Sequence, residues 1–166
     1  MKSAEDFLFR ESLEETAPFV SELIQREEER QKRKLIMIPS ESCAPKAVRD
    51  ALGSVFQNVY AEGYPRERTM RYSEELLLDQ SHCLVYYRRY ANRRFYKGVD
   101  YVDIIEGIAA RRAAMCFAHN GVSDSDIFVN VQALSGSAAN LSIYDALLKD
   151  GDTIMGLDLF QGGHLT

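Results

Sequence analysis

The stretch D-I-F-V-N-V-Q-A-L-S-G-S-A-A-N-L-S-I-Y-D-A-L-L-K-D-G-D-T-I-M-G, residues 126–156, decides the fold class. Its β-rich run at 126–131 is short enough for a buried strand, and 153–156 is a second such run. Residues 138–148, between them, have helical composition and follow a glycine–serine turn. This order predicts a βαβ unit with two parallel strands. Two strands do not complete a parallel sheet, so we expect an incomplete α/β fold.

Composition and charge exclude several classes of protein. Of the 166 residues, 46% are hydrophobic and 27% are charged, as in ordinary globular proteins. Neither a membrane-spanning run nor a secretory signal is present, so we expect a cytoplasmic protein that does not bind membranes. The net charge of −5 argues against a dedicated nucleic-acid binder. Cys43, Cys83 and Cys116 form no C-x-x-C pair, so we predict free thiols and no metal site.

Helical periodicity covers much of the first two thirds of the chain. A helix is predicted at 16–34, with Thr16 as its N-cap and Pro18 in its first turn. Its narrow apolar stripe suggests docking on a larger surface, for example another subunit. The other segments with helical spacing are 45–56, 66–92 and 102–117.

A basic, aromatic-rich segment lies at residues 86–97. Its arginines alternate with tyrosines and a phenylalanine, which is the composition of a nucleic-acid patch. The alternative is an amphipathic helix whose rings pack internally and whose cations are solvated. The acidic total favours this alternative.

Three places carry residues suited to chemistry. The turn at 135–137 is suited to binding a phosphate through backbone N–H groups, or else Ser137 simply caps the following helix. His164 follows the second predicted strand in a glycine loop, at the sheet edge where α/β proteins bind ligands, although a lone loop histidine is often only polar surface. Glu62, between Tyr60 and Tyr64, is suited to proton transfer or is an exposed loop acid.

Several of these stretches together resemble one enzyme family. They are I-P-S-E-S at 38–42, N-V-Y-A-E-G-Y-P at 58–65, R-F-Y-K-G at 94–98, N-V-Q-A-L-S-G-S-A-A-N at 130–140, L-L-K-D-G-D-T-I-M-G-L-D at 147–158 and G-G-H-L-T at 162–166. In this order they resemble serine hydroxymethyltransferase, from about residue 16 to residue 166. That family uses pyridoxal 5'-phosphate to exchange serine and tetrahydrofolate for glycine and 5,10-methylenetetrahydrofolate.

The resemblance implies an aspartate-aminotransferase-like α/β fold, known as fold type I, present here only in part. Residues 1–39 would form an N-terminal helical arm. Residues 40–166 would form the first part of the large cofactor-binding domain, with a helical insert at about 66–91. A homodimer is implied, because the family shares its active sites between two subunits.

The resemblance also assigns roles to single positions. Glu62 resembles the carboxylate that moves a proton at the substrate hydroxyl and at folate. The residues that resemble cofactor contacts are Tyr60, Ser135, Gly136, Ser137 and His164, with Tyr60 reaching the phosphate bound by the neighbouring subunit and His164 stacking on the pyridine ring. The residues that resemble amino-acid or folate contacts are Ser40, Phe95, Tyr96, Leu159, Gly163 and Leu165.

Departures from the family pattern bear on activity. The lysines are Lys2, Lys32, Lys34, Lys46, Lys97 and Lys149, and none has the threonine-rich context of the family lysine that bonds to the cofactor. Smaller departures are Ser42, Ala133, Leu134 and Gln161. The insert also puts the placement of Tyr96 in question. We therefore expect a chain that is inactive alone and needs a complementing C-terminal portion, or else a non-catalytic protein that pairs with another subunit.

Overall fold

A computed structural model of the chain describes residues 3–90 and 93–164. Its contacts divide the chain into two compact units, Met1–Leu52 and Gly53–Thr166. The domain boundary predicted after residue 39 concerns the family's domains and stays a prediction. Within the described ranges, no helix combines the length and the apolar character needed to cross a bilayer.

The first unit is helical. Its helices are α1 (Ala4–Phe9), α2 (Leu13–Thr16), α3 (Pro18–Arg33) and α4 (Lys46–Leu52). Pro18 opens α3 as predicted, where its missing N–H has no cost. The prediction of Thr16 as N-cap is wrong, because a capping box between Ser12 and Glu15 starts a separate short helix that ends at Thr16. Ala17 takes the N-cap position of α3 without a side-chain hydrogen bond.

The apolar stripe of α3 lies on the surface of this unit. Phe19 is 69% exposed and Ile24 is 53% exposed. Docking of this stripe on another surface stays a prediction.

The second unit also consists of helices joined by loops. They are α5 (Glu74–Leu78), α6 (Gln80–Tyr90), α7 (Asp100–Phe117) and α8 (Gly136–Leu147), with 3₁₀ turns at Val55–Asn58, Thr69–Arg71, Asp124–Asp126 and Leu159–Gln161. Helices α7 and α8 confirm the helical spacing seen in the sequence. The cap of α8 is Ser135 and not Ser137, because the Ser135 hydroxyl accepts the Ala138 N–H at 3.3 Å.

The segment predicted as a long helical insert is broken into shorter elements. A 3₁₀ turn precedes α5, and α5 ends at Leu78 with Asp79 as its C-cap. The Asp79 carboxylate accepts the N–H of His82 at 3.0 Å, which starts a new helix at that point. The segment therefore forms two helices instead of one, and both pack against α7.

The insert supplies much of the buried core of the second unit. One cluster consists of Tyr72, Leu77, Cys83 and Ile104, and a second consists of Tyr87 and Val99. The Tyr87 hydroxyl also accepts the backbone N–H of Val99 at 3.3 Å. At Gly107 an added Cβ would lie 2.9 Å from a methyl group of Leu77, so this glycine allows close packing of α5 on α7.

The predicted strands are not formed in the described residues. The chain around Ile127 is extended, but neither 126–131 nor 153–156 pairs with another strand. The isolated β-bridge in the described residues lies elsewhere, between Gly63 and Arg94. A strand is stable only when its N–H and C=O groups bond to an adjacent strand. Of the βαβ unit expected from the sequence, the structure therefore forms only the helix, α8, in the described residues.

The core predicts a clear difference between two adjacent leucines of α5. Leu77 is 1% exposed and Leu78 is 59% exposed. We expect Leu77→Ala to lower the free energy of unfolding by about 2–5 kcal/mol, because it leaves a cavity against α7. Leu78→Ala should change it by less than about 0.5 kcal/mol. Urea denaturation followed by circular dichroism measures both, and equal effects would contradict the assigned core.

Candidate functional site

The Tyr60–Pro65 loop is fixed against the segment that follows the insert. The Tyr64 N–H donates to the Arg93 carbonyl at 3.0 Å, and the Phe95 N–H donates to the Glu62 carbonyl at 3.1 Å. These bonds form the antiparallel bridge between Gly63 and Arg94. The chain after the insert thus lies beside the loop that precedes the insert.

This bridge brings together four predicted site residues. The rings of Tyr60 and Tyr96 lie 5.9 Å apart between centroids, and Glu62 and Phe95 are joined through their backbones. Tyr96 therefore reaches the loop of Tyr60 despite the insert. Tyr60 and Phe95 are 75% and 78% exposed, so the backbone is held while the side chains face outward.

A buried arginine holds the loop from inside. The Arg94 guanidinium is 1% exposed and donates through Nη1 to the carbonyls of Ala61 at 2.7 Å and Gly63 at 3.0 Å. Its Nε donates to Asp103 and its Nη2 donates to Glu106, both at 2.7 Å. Both carboxylates belong to α7, so the arginine connects the loop to the longest helix of the chain.

The charges in this cluster are unequal, since one cation faces two carboxylates. Burial lowers the pKa of Arg94, but its hydrogen bonds to Glu106 and Asp103 outweigh burial and hold this pKa above the usual value. Burial raises the pKa of Asp103, and the nearby Glu106 carboxylate adds to the rise against the opposing effect of Arg94. Arg94 is therefore charged at all physiological pH values.

Gln132, which precedes the Ser135–Ser137 turn in the chain (the serine turn), also bonds to this cluster. Its side-chain amide donates to the Gly63 carbonyl at 2.9 Å and to Glu106 at 2.5 Å. Sequence reasoning assigned no role to Gln132 or to the buried cluster of Arg94. A usable signal existed, since both lie inside the family-like stretches and Asp103 and Glu106 are three residues apart on one face of a helix.

The serine turn lies at the N-terminus of α8. Ser135 caps the helix. The N–H groups of Gly136 and Ser137 lie in its first turn, where the helix itself offers no carbonyl acceptor. These amides, and the positive end of the helix dipole, can bind an anion such as a phosphate. The turn therefore caps the helix through Ser135 and not through Ser137, and phosphate binding there stays a prediction.

The glycine loop has its own local structure. Leu159 begins a 3₁₀ turn and is half exposed, and the Gly163 N–H donates to the Asp158 carbonyl at 2.9 Å. A Cβ on Gly163 would lie 2.0 Å from the Leu157 carbonyl oxygen, so this turn needs glycine. His164 is exposed, and Leu165 lies outside the described residues.

Ser40 belongs to the first unit. It is exposed, in a turn closed by a hydrogen bond from the Glu41 N–H to the Ile38 carbonyl at 3.1 Å. Its predicted contact with the amino-acid substrate stays a prediction.

Tyrosines of the basic segment contact one another and contact arginines from outside the segment. Arg66 lies 4.3 Å above the ring of Tyr90, and Arg68 lies 5.7 Å above the ring of Tyr86. Tyr86 also packs near Tyr90, at 5.8 Å between centroids. Base stacking requires free ring faces. These contacts favour the interpretation of an internally packed amphipathic helix.

A cleft of about 360 Å³ lies beside Tyr64 and Pro65 of the loop. Its lining includes Tyr64, Arg93, Glu106 and Phe128, but none of the site residues predicted from the sequence. We therefore assign it no part in the chemistry of the candidate site.

Known proteins are similar in sequence to this chain. The family described as serine hydroxymethyltransferase matches at residues 13–89 and 73–166. A serine hydroxymethyltransferase of Acidothermus cellulolyticus is 43% identical over 155 residues, and one of Methanosarcina barkeri is 40% identical over 154. One of Erythrobacter litoralis is 41% identical over 149 residues.

These matches cover most of this chain but only a small part of each relative. They cover 93%, 93% and 90% of this chain but only 29%, 29% and 27% of the three relatives. The chain thus spans less than a third of the length of the curated relatives it matches. The two family matches overlap at 73–89, inside the predicted insert, which is consistent with an interruption of the family pattern there.

Two glycines test the packing of the loop. Gly63 and Gly98 both have positive φ, at 93° and 88°, but an added Cβ would meet the Arg93 carbonyl oxygen at 2.1 Å only at Gly63. Alanine at either position should cost about 1–2 kcal/mol for the backbone conformation. We expect Gly63→Ala to cost about 1–3 kcal/mol more, because the bridge must shift. Thermal unfolding measures the difference, and matched losses would contradict the close approach at Gly63.

Proposed function

Because this chain belongs to the serine hydroxymethyltransferase family, we propose that it supplies the N-terminal part of a one-carbon transferase. The complete enzyme would be a fold-type-I protein that interconverts serine and tetrahydrofolate with glycine and 5,10-methylenetetrahydrofolate. The observation that carries this proposal is the bridged loop, which gathers Tyr60, Glu62, Phe95 and Tyr96 in one place despite the insert. A cytoplasmic location is part of the proposal.

The residues present fit one end of pyridoxal 5'-phosphate. The first amides of α8 and the Ser135–Ser137 turn have the donors and the helix dipole that a phosphate needs. When bound, this cofactor supplies an electron sink for charge that develops on the amino-acid substrate. His164 is proposed to stack on its ring, and Tyr60 to reach the phosphate in the neighbouring subunit of a homodimer.

The remaining residues are proposed to bind substrates and to move protons. Glu62 would hold a proton at the serine hydroxyl and at folate. Its backbone is hydrogen-bonded in place, and its side chain, exposed in this chain, would be covered by the neighbouring subunit of the proposed homodimer. Ser40 and Tyr96 bind the amino acid. The residues proposed on the folate side are Phe95, Leu159, Gly163 and Leu165.

The chain by itself is proposed to be inactive. None of its lysines stands in the threonine-rich context of the family lysine, so the covalent step would need a residue from a complementing C-terminal portion. The alternative proposal is a non-catalytic protein that pairs with another subunit. The exposed apolar stripe of α3 is compatible with either arrangement.

Cofactor chemistry tests the proposed lack of the lysine. The chain is mixed with pyridoxal 5'-phosphate, treated with borohydride and mapped by peptide mass spectrometry. We expect only scattered, substoichiometric labelling, because no lysine of this chain stands in the sequence context of the family lysine. Stoichiometric labelling of one lysine, for example Lys97 or Lys149, would contradict the proposal.

Reassembly tests the proposed activity. The chain is co-expressed with the remaining polypeptide of the Acidothermus cellulolyticus relative, and glycine formation from serine and tetrahydrofolate is measured. We expect activity in the complex that neither part has alone. Glu62→Gln should lower kcat by about 10²-fold or more. Glu67→Gln, an exposed glutamate of the same segment, is the matched control and should retain activity. An assembled but inactive complex would favour the non-catalytic alternative.

A further inference from the structure

The peptide groups on both sides of Glu62 are bound by neighbouring donors. The carbonyls of Ala61 and Gly63 accept from the Arg94 guanidinium, and the carbonyl of Glu62 itself accepts from the Phe95 N–H. The Gly63 carbonyl also accepts from the Gln132 amide. Three consecutive carbonyls are thus fixed, while the Glu62 side chain is left to face outward.

Only arginine has the donors that this arrangement uses. Its planar guanidinium binds two carboxylates and two carbonyls at once, through Nε, Nη1 and Nη2. Lysine keeps the positive charge, but its single ammonium group lacks the fixed fork of donors. The substitution Arg94→Lys therefore changes the geometry of the loop contacts while it keeps the charge.

We propose that Arg94 is a positioning residue for Glu62, holding the Tyr60–Pro65 loop so that the carboxylate projects from a fixed backbone. This inference rests on the proposed function, in which Glu62 moves a proton. The Arg94 side chain is buried, and its bonds go to Asp103, Glu106 and the loop carbonyls of Ala61 and Gly63, so we infer that it acts through the loop.

Hydrogen exchange on the chain itself tests the hold on the loop. In Arg94→Lys, the amides of Tyr64 and Phe95 should exchange about tenfold faster or more. These two amides bond the Tyr60–Pro65 loop to residues 93–95, and the Arg94 side chain holds the same loop through its carbonyls. The amide of Cys83 in α6, which donates to the Asp79 carbonyl, should keep its rate. The matched control is Arg93→Lys, whose side chain is exposed and lies over Tyr64; it should leave all three rates unchanged.

A double-mutant cycle in the reassembled complex tests whether Arg94 acts through Glu62. Arg94→Lys alone should lower kcat about tenfold or more while the KM for serine changes little. In the Glu62→Gln background the same substitution should have almost no further effect, since the group it positions is already removed. A role in general stability would lower the rate equally in both backgrounds.

Two results would overturn the proposal. One is unchanged exchange at Tyr64 and Phe95 in Arg94→Lys, or faster exchange that includes Cys83 to the same degree. The other is additivity of the two substitutions in kcat. If Glu62→Gln leaves kcat unchanged, the proposed function of Glu62 fails instead, and selective exchange at Tyr64 and Phe95 still supports the hold of Arg94 on the loop.

Discussion

The second unit depends on one buried charge. The Arg94 guanidinium is almost fully removed from water, which costs several kcal/mol unless its donors are satisfied. Asp103 and Glu106 supply the opposite charge, and two loop carbonyls accept the remaining bonds. Removing either side of such a pair leaves an uncompensated buried charge, so the loop, the end of the insert and α7 are specified together.

The same cluster explains how an insert of about 26 residues is tolerated. Its two ends meet at the bridge between Gly63 and Arg94, so its length does not change the distance between Tyr60 and Tyr96. Its helices then pack on α7 and contribute Leu77 and other core residues. The described part of the insert therefore packs on the second unit, while the residues that flank it keep the rings of Tyr60 and Tyr96 within 5.9 Å of each other.

The parts of the fold that sequence predicted are those with local causes. Helix α7 follows from its periodicity, and Pro18 at the start of α3 follows from the geometry of a first turn. The prediction of strands was wrong because strand pairing depends on distant segments, and the run at 126–131 has no pairing partner in the described ranges. Tyr60 and Glu62 were recognised from a motif, but the role of Arg94 depends on carboxylates nine and twelve residues further on, which composition alone does not connect.

The arrangement of the loop suits a site shared between subunits, as proposed. A side chain that serves a neighbouring subunit must be exposed in its own, yet a mobile loop would lose conformational entropy when the partner binds. Here the order comes from within the chain, since the backbone around Glu62 is already bonded to Arg94, Phe95 and Gln132. Tyr60 and Glu62 can then face a partner at little further entropic cost. The buried Arg94 thus orders the loop backbone in advance, which lowers the entropic cost of presenting Tyr60 and Glu62 to a neighbouring subunit.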